Sequence, residues 1–199
     1  MMLRYFVSGT NTDVGKTVFS GLLARELREK GMRVRYVKPV QTGHPPDNDA
    51  ETVLRISGLE PDRVHLLFTG TEPVAPCFLW DEFPFEEAVD AINAIRDCDA
   101  LIVEGAGGLL VPLDRERFVY EFAGACNLQT CLVVPNRLGC ISDALLSTHF
   151  LQAKGLPLAM LAVNNRYASD SVNRDRNVDS LIRLVPEASV RTFDAVPGL

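Results

Sequence analysis

The chain has 199 residues, of which 47% are apolar, and a formal net charge of −6. This is enough apolar material for one buried core, so we expect a single domain over residues 1–199. The acidic balance and the lack of a basic block argue against nucleic acid as a partner. With no long apolar run or leader segment, and five cysteines without a C-x-x-C pair, the sequence predicts a cytoplasmic protein with reduced thiols and no membrane association.

The first predicted strand leads into a phosphate-binding loop. Leu3–Val7 is a short apolar run, followed by Gly9, by Gly15-Lys16-Thr17 and by a helical pattern up to Lys30. In such loops, backbone N–H groups and the helix dipole bind phosphate, the lysine reaches the terminal phosphates and the hydroxyl binds Mg²⁺. The usual motif has four residues between Gly and Gly-Lys, whereas this chain has five. A glycine turn with a surface lysine is the alternative, but the strand and helix context favours a P-loop.

The second predicted strand, Val34–Val37, ends at Lys38-Pro39. Because proline breaks regular strand pairing, we expect Lys38 at the carboxyl edge of the sheet, where open α/β sheets bind ligands. A solvated lysine at a strand end is the alternative. A polar loop follows, and Asp47-Asn48-Asp49 precedes a short helix, which makes Asp47 and Asn48 candidates for its N-cap.

A third buried strand carries an acidic residue at its end. Residues 59–83 are rich in proline and are expected to be irregular, and a helix is predicted over Phe85–Ile95. Ala100–Val103 is then the clearest buried strand, and it ends in Glu104 and the glycine-rich stretch 105–108. An acidic residue in this place in a P-loop protein is the Walker B residue, which faces the metal. A plain glycine turn is the alternative.

The remaining chain continues to alternate strands and helices. Strands are predicted over Leu132–Pro135, over Leu158–Val163 before Asn164-Asn165, and over Val190–Phe193. Helices are predicted from Gly139 to Lys154 and over Asn173–Leu184. The N-terminus of the first of these helices is a candidate anion site, although most such termini bind only solvent. Alternation of this kind predicts an α/β fold with a mostly parallel sheet and helices on both faces, as in P-loop NTPases.

Four segments together resemble the dethiobiotin synthetase family. They are Gly9–Thr17, Lys38–Val40, Val103–Gly108 and Leu138–Ile141. The family shares the five-residue gap in the P-loop, and the resemblance runs from the N-terminus to about Asn165. It implies a single P-loop carboxylase domain that uses ATP and Mg²⁺ to join CO₂ to 7,8-diaminopelargonic acid and close the cyclic urea of dethiobiotin, a step of biotin biosynthesis. It also implies a homodimer.

The resemblance further implies roles for individual residues. Lys16 and Lys38 are the implied catalytic residues, and Thr17, Asp49 and Glu104 the implied Mg²⁺ ligands. The implied nucleotide-binding residues are Thr12, Asp13, Val14, Gly15, Lys16, Thr17, Asp49, Glu104, Gly105, Ala106, Gly107, Asn164, Asn165, Pro197, Gly198 and Leu199. The implied substrate-binding residues are Thr42, Gly108, Leu138, Gly139 and Cys140. The last three open the helix that resembles the one receiving the substrate carboxylate from the neighbouring subunit.

Residues 196–199 resemble the stretch where the family closes over the adenine, but the sequence ends there, whereas family members usually carry a further helix. We therefore expect relaxed selectivity for the nucleotide base, whereas phosphate chemistry is unaffected.

Two other classes of protein share parts of the pattern. Regulatory ATPases of the partitioning or septum-positioning kind carry an extra lysine early in the P-loop, and residues 10–13 contain none. A nucleotide-binding subunit without turnover is disfavoured because Lys38, Asp49 and Glu104 occur together.

Overall fold

Seven parallel strands form the sheet of the computed structural model, which describes residues 2–196. Within that range the strands are β1 (Leu3–Gly9), β2 (Val34–Gln41), β3 (Val64–Thr69), β4 (Ala100–Gly108), β5 (Gln129–Pro135), β6 (Leu158–Asn164) and β7 (Ser189–Phe193). The α-helices are α1 (Lys16–Glu29), α2 (Asp49–Ser57), α3 (Phe85–Ala94), α4 (Glu121–Ala125), α5 (Cys140–Ala153) and α6 (Ser171–Leu184).

The strand order β3-β2-β4-β1-β5-β6-β7 places β1 and β4 side by side in the middle of the sheet. Each neighbouring pair is parallel. The carboxyl ends of all strands therefore meet at one edge, where the loop after β1 faces the ends of β2, β4, β5 and β6. This confirms the α/β fold expected from the alternation of strands and helices.

The two faces of the sheet carry separate apolar cores, and strand β4 contributes to both. Ala100 and Ile102 pack with α1 and α2, whereas Leu101 and Val103 pack in the core on the other face. Because side chains alternate along a strand, Glu104 continues the face of Ala100 and Ile102 and points at α1. A carboxylate is thus placed where the apolar pattern of the strand would put another buried hydrophobic side chain.

The structure corrects the expectation that residues 59–83 are irregular. They contain β3, which pairs with β2 from Tyr36↔Val64 to Gln41↔Thr69. Every residue of β3 up to Phe68 is half-buried rather than buried, because β3 lies at the edge of the sheet. A half-buried edge strand next to several prolines carries only a weak apolar pattern.

Two strand ends also differ from the prediction. Strand β2 continues to Gln41, since its ladder to β3 pairs Lys38 with Leu66 and resumes at Val40 beyond Pro39. Strand β4 runs on through Glu104 to Gly108. Lys38 and Glu104 therefore lie inside their strands rather than after them, and this is why both side chains are buried.

Other expectations are met or extended. Asn48 is the N-cap of α2, with its side chain accepting from the Glu51 N–H, and β7 forms at the predicted place. All five cysteines are free thiols, and four of them are buried. Within residues 2–196, no helix is both long enough and apolar enough to cross a membrane.

Candidate active site

The Glu104 carboxylate is the centre of the polar groups between β4, β2 and α1. It is fully buried and accepts four hydrogen bonds. Its Oε1 atom accepts from Lys38 Nζ at 2.8 Å and from Thr17 Oγ1 at 2.9 Å. Its Oε2 atom accepts from Ser20 Oγ at 2.6 Å and from Tyr36 Oη at 3.1 Å. A buried carboxylate is tolerated only with such partners, and here each oxygen has two.

Lys38 joins this carboxylate to a second one. Its Nζ atom lies 2.6 Å from Asp49 Oδ2 and donates to the Gly105 carbonyl at 3.3 Å. The side chain is only 4% exposed, so the alternative of a solvated lysine is wrong. Burial by itself lowers the pKa of Lys38, but Glu104 and Asp49 outweigh it and raise the pKa to about 12. Lys38 therefore remains a charged ammonium at neutral pH.

Asp49 is placed by the loop between β2 and α2. Gln41 at the end of β2 donates to the Asp47 carbonyl at 2.7 Å, and its side-chain oxygen accepts from the Asp49 N–H at 3.3 Å. Burial raises the pKa of Asp49, but the Lys38 ammonium and the Thr17 hydroxyl outweigh it, so that the net shift is downward. Asp49 is thus held as a carboxylate beside Lys38.

The loop after β1 has the backbone of a phosphate-binding loop. Asp13 and Gly15 have positive φ angles of 57° and 98°, and Gly15 caps the N-terminus of α1. Lys16 is buried and donates to the Asn11 carbonyl at 3.3 Å. Burial, and secondly the nearby Lys38 ammonium, lower its pKa to about 8. Because no carboxylate of residues 2–196 is in hydrogen-bond contact with it, Lys16 is the group in this site that gains most from a bound anion.

The predicted pair lies at the carboxyl end of β6, with Asn164 as the last residue of the strand and Asn165 just after it. Asn164 Nδ2 donates to the Val14 carbonyl at 3.0 Å, and its Oδ1 accepts from the Arg166 N–H. A Cβ atom on Gly15 would lie 2.4 Å from Asn164 Nδ2, so only glycine allows this contact. Asn164 therefore anchors the phosphate loop to the end of β6. Asn165 accepts from Asn136 Nδ2 at 3.0 Å.

The glycine-rich end of β4 approaches the phosphate loop closely. Gly107 has a φ of 61°, and a Cβ atom there would lie 3.2 Å from Thr12 Oγ1 and 2.6 Å from Val111. Gly105, Ala106 and Gly108 belong to the same stretch. The predicted nucleotide-binding residues 12–17 and 104–107 are therefore brought together.

The predicted substrate-binding residues differ from one another in how far their side chains are exposed. Thr42 follows β2 directly and is half-buried. Leu138 is 97% exposed, whereas Cys140 is fully buried, which raises the pKa of its thiol. Gly139 has a φ of 92° and caps α5. Cys140 could reach a ligand only through its backbone. Pro197, Gly198 and Leu199 lie outside the described residues, so their contact with the base remains a prediction.

Four polar residues around the site were not predicted from the sequence. They are Ser20, Tyr36, Gln41 and Asn136. Two of them could have been found from their spacing to predicted site residues in the sequence. Ser20 is three residues after Thr17 on the same face of α1, and Tyr36 is two residues before Lys38 on the same side of β2.

Carboxylate oxygens of Asp49 and Glu104 lie 2.6 and 2.8 Å from Lys38 Nζ, and Thr17 Oγ1 lies 2.9 Å from the same Glu104 oxygen. A hydroxyl and two carboxylates are hard oxygen donors, which fit the preference of Mg²⁺. In residues 2–196, no cluster of three or more His, Cys, Asp or Glu side chains is arranged to hold a metal. Thr17, Asp49 and Glu104 offer three oxygen donors, fewer than octahedral Mg²⁺ takes, so a bound ion would keep positions for phosphate oxygens and water.

A phosphate loop between β1 and α1, with an acidic residue on the adjacent strand β4, defines a P-loop nucleoside triphosphatase. A family model described as an AAA domain matches residues 3–197. An ATP-dependent dethiobiotin synthetase of Leptospira interrogans is 35% identical over 178 residues, which are 85% of this chain and 79% of that protein. One of Rhodopseudomonas palustris is 34% identical, over 94% of this chain and 90% of that protein. The chain therefore belongs to the dethiobiotin synthetase family of ATP-dependent ligases.

Solved structures of low sequence identity share the fold. A plasmid partition protein from Borrelia burgdorferi, bound to AMPPNP, aligns with a TM-score of 0.62 at 10% identity, over 99% of this chain and 89% of that chain. The signal recognition particle receptor FtsY from Elizabethkingia anophelis aligns with a TM-score of 0.56 at 17% identity. This chain spans 58% of that receptor chain.

Proposed function

We propose that residues 1–199 form one domain that converts 7,8-diaminopelargonic acid, CO₂ and ATP into dethiobiotin, ADP and phosphate in the cytoplasm. The observation that carries the proposal is the buried Lys38 ammonium, held between Asp49 and Glu104 beside the phosphate loop. Membership of the dethiobiotin synthetase family supplies the reaction.

The reaction requires three nucleophilic attacks, one on CO₂, one on the γ-phosphorus of ATP and one on the carbonyl carbon of the mixed anhydride. One substrate amine adds to CO₂ and loses a proton, which gives a carbamate. A carbamate oxygen then attacks the γ-phosphorus of ATP, and ADP leaves. The second amine attacks the carbamic-phosphoric anhydride, and loss of phosphate and a proton closes the cyclic urea. The substrates supply each nucleophile, so the protein needs to position groups and stabilise negative charge.

The positive groups of the site match this requirement. We assign Lys16 to the β- and γ-phosphates and Lys38 to the oxygens between the carbamate and the γ-phosphate. The N–H groups of residues 12–17 cradle the phosphates, and the backbone of residues 105–107 lines the nucleotide side. Thr17, Asp49 and Glu104 would hold Mg²⁺, which when bound neutralises phosphate charge.

The adenine and substrate sides are assigned from the resemblance. We place Asn164, Asn165 and residues 197–199 around the adenine, and Thr42 and Gly108 beside the diamine. The N-terminus of α5, at Leu138, Gly139 and Cys140, would receive the substrate carboxylate across a homodimer interface. The exposed side chains of Leu138, just before α5, and of Leu146 within α5, 97% and 71% exposed, support such an interface.

The test is whether ATP consumption requires both co-substrates. Phosphate release should be fast only when diaminopelargonate and bicarbonate are both present, and dethiobiotin should form in an equal amount. The Lys16→Ala variant controls for contaminating ATPases. ATP hydrolysis that is independent of diaminopelargonate would favour a regulatory ATPase and would contradict the proposal.

A further inference from the structure

The two oxygens of the Glu104 carboxylate have different surroundings. Oε1 faces Lys38 and Thr17, which belong to the proposed catalytic and metal-binding groups. Oε2 faces away from them, into the packed space between α1 and β2, where it accepts from Ser20 and Tyr36. Ser20, Tyr36 and Glu104 are all fully buried. The proposed reaction makes no use of Ser20 or Tyr36.

The Tyr36 hydroxyl is suited to holding a carboxylate and not to proton transfer. Its ring is fully buried in the apolar core formed by α1, α2 and the sheet. Burial and the adjacent Glu104 both raise the pKa of this phenol well above its usual value, so it remains a hydrogen-bond donor at any working pH. Among the described residues its hydrogen-bond acceptor is Glu104 Oε2, at 3.1 Å.

We propose that Tyr36 and Ser20 are positioning residues that hold Glu104 Oε2, so that Oε1 is presented to Thr17 and to the metal site. This rests on the proposed role of Glu104 as a Mg²⁺ ligand. The terminal torsion of a glutamate side chain has broad and shallow preferences, so local hydrogen bonds must fix the plane of its carboxylate. Two donors from different elements, α1 and β2, fix that plane and reduce the reorganisation required when a cation binds.

The test variants remove one hydroxyl each. Tyr36→Phe deletes the phenol oxygen and keeps the ring, and Ser20→Ala deletes the other donor. Tyr5→Phe is the matched control, because Tyr5 lies near the start of β1, opposite Ile102, and is not one of the four donors to Glu104 described above. Binding of Mn²⁺ to the protein with ATP, in the absence of diaminopelargonate, is measured from the electron paramagnetic resonance signal of free Mn²⁺. This readout does not depend on turnover.

We expect Tyr36→Phe and Ser20→Ala each to weaken Mn²⁺ binding by roughly 10- to 100-fold, the range found when partners of metal ligands are removed. The Mg²⁺ concentration for half-maximal turnover should rise similarly, while KM for diaminopelargonate stays unchanged. Excess Mg²⁺ should restore most of kcat. Tyr5→Phe should behave like the wild type in each measurement.

If Tyr36 and Ser20 served only to stabilise the fold, their replacement would lower the urea midpoint of unfolding and leave Mn²⁺ affinity unchanged. Wild-type Mn²⁺ affinity in both Tyr36→Phe and Ser20→Ala, together with weaker binding in Glu104→Gln, would overturn the positioning role and leave Glu104 as a ligand. Wild-type affinity in Glu104→Gln as well would overturn the metal role assigned to Glu104 and the inference that rests on it. A loss in Ser20→Ala alone would overturn the role of Tyr36.

Discussion

Replacing Lys38 with methionine should strongly destabilise the folded chain. Methionine keeps the length and the apolar stem of the side chain but removes the ammonium between Asp49 and Glu104. Asp49 is 29% exposed and can be solvated, whereas Glu104 is fully buried and cannot. Breaking a buried pair from one side costs about 3–5 kcal/mol. We expect the lower part of this range, because the Thr17, Ser20 and Tyr36 hydroxyls still donate to Glu104.

Urea unfolding at pH 7.5, followed by circular dichroism, measures this loss. A raised pKa means that the stability from Lys38 is fully present below its unfolded value of 10.5 and is lost as the pH rises through about 12. At pH 7.5 the whole effect is therefore visible. With an m-value of about 3 kcal/mol/M, the midpoint should fall by about 1–1.5 M. Arg33→Met, which breaks an exposed ion pair with Asp99, should leave the midpoint nearly unchanged.

The double variant Lys38→Met/Glu104→Gln isolates the interaction between the two charges. It no longer buries an unpaired carboxylate, so it should be more stable than the sum of the single changes by about 1–3 kcal/mol. Strictly additive losses, or a Lys38→Met midpoint equal to that of the wild type, would refute the view that Lys38 neutralises a buried Glu104.

Three further predictions concern the lysines and the dimer. Lys16→Ala should raise KM for ATP and lower kcat. Lys38→Ala should lower mainly kcat, because it removes a contact made in the transition state. Equal steady-state kcat in Lys38→Ala and the wild type would contradict this. With a pKa of about 8 for Lys16, the unfolded chain binds an extra proton between pH 8 and 10.5, so the ligand-free chain should become more stable across this window. Urea midpoints at pH 7.5 and 9.5 measure the gain, and Lys16→Met should lack it. Leu146→Asp should convert the proposed dimer to a monomer, as measured by sedimentation at micromolar concentration. Ile182→Asp on α6 is the control and should leave the dimer intact. A wild-type protein that is fully active as a monomer would exclude the dimer.

Much of the fold and of the site follows from local sequence patterns. The apolar run Leu3–Val7 before a glycine-bounded loop and Lys16-Thr17 identified the phosphate loop, because strand, loop and helix are local structures with short sequence signals. Lys38 and Glu104 were placed at the carboxyl edge because each follows an apolar run of strand type. The edge strand β3 was missed, since its stability comes from pairing with β2 rather than from an apolar pattern of its own.

The contacts of the site were decided by the tertiary structure. Glu104 is separated from Ser20 by 84 residues and from Tyr36 by 68, and no local pattern relates residues so far apart. The parallel register of β2 and β4, with Val37 opposite Val103, brings Lys38 level with Glu104, and the packing of α1 against β4 brings Thr17 and Ser20 above it. The sequence therefore determined which residues carry charge, whereas the sheet register decided which charges meet, because a buried charge persists only where the fold brings its partners to it.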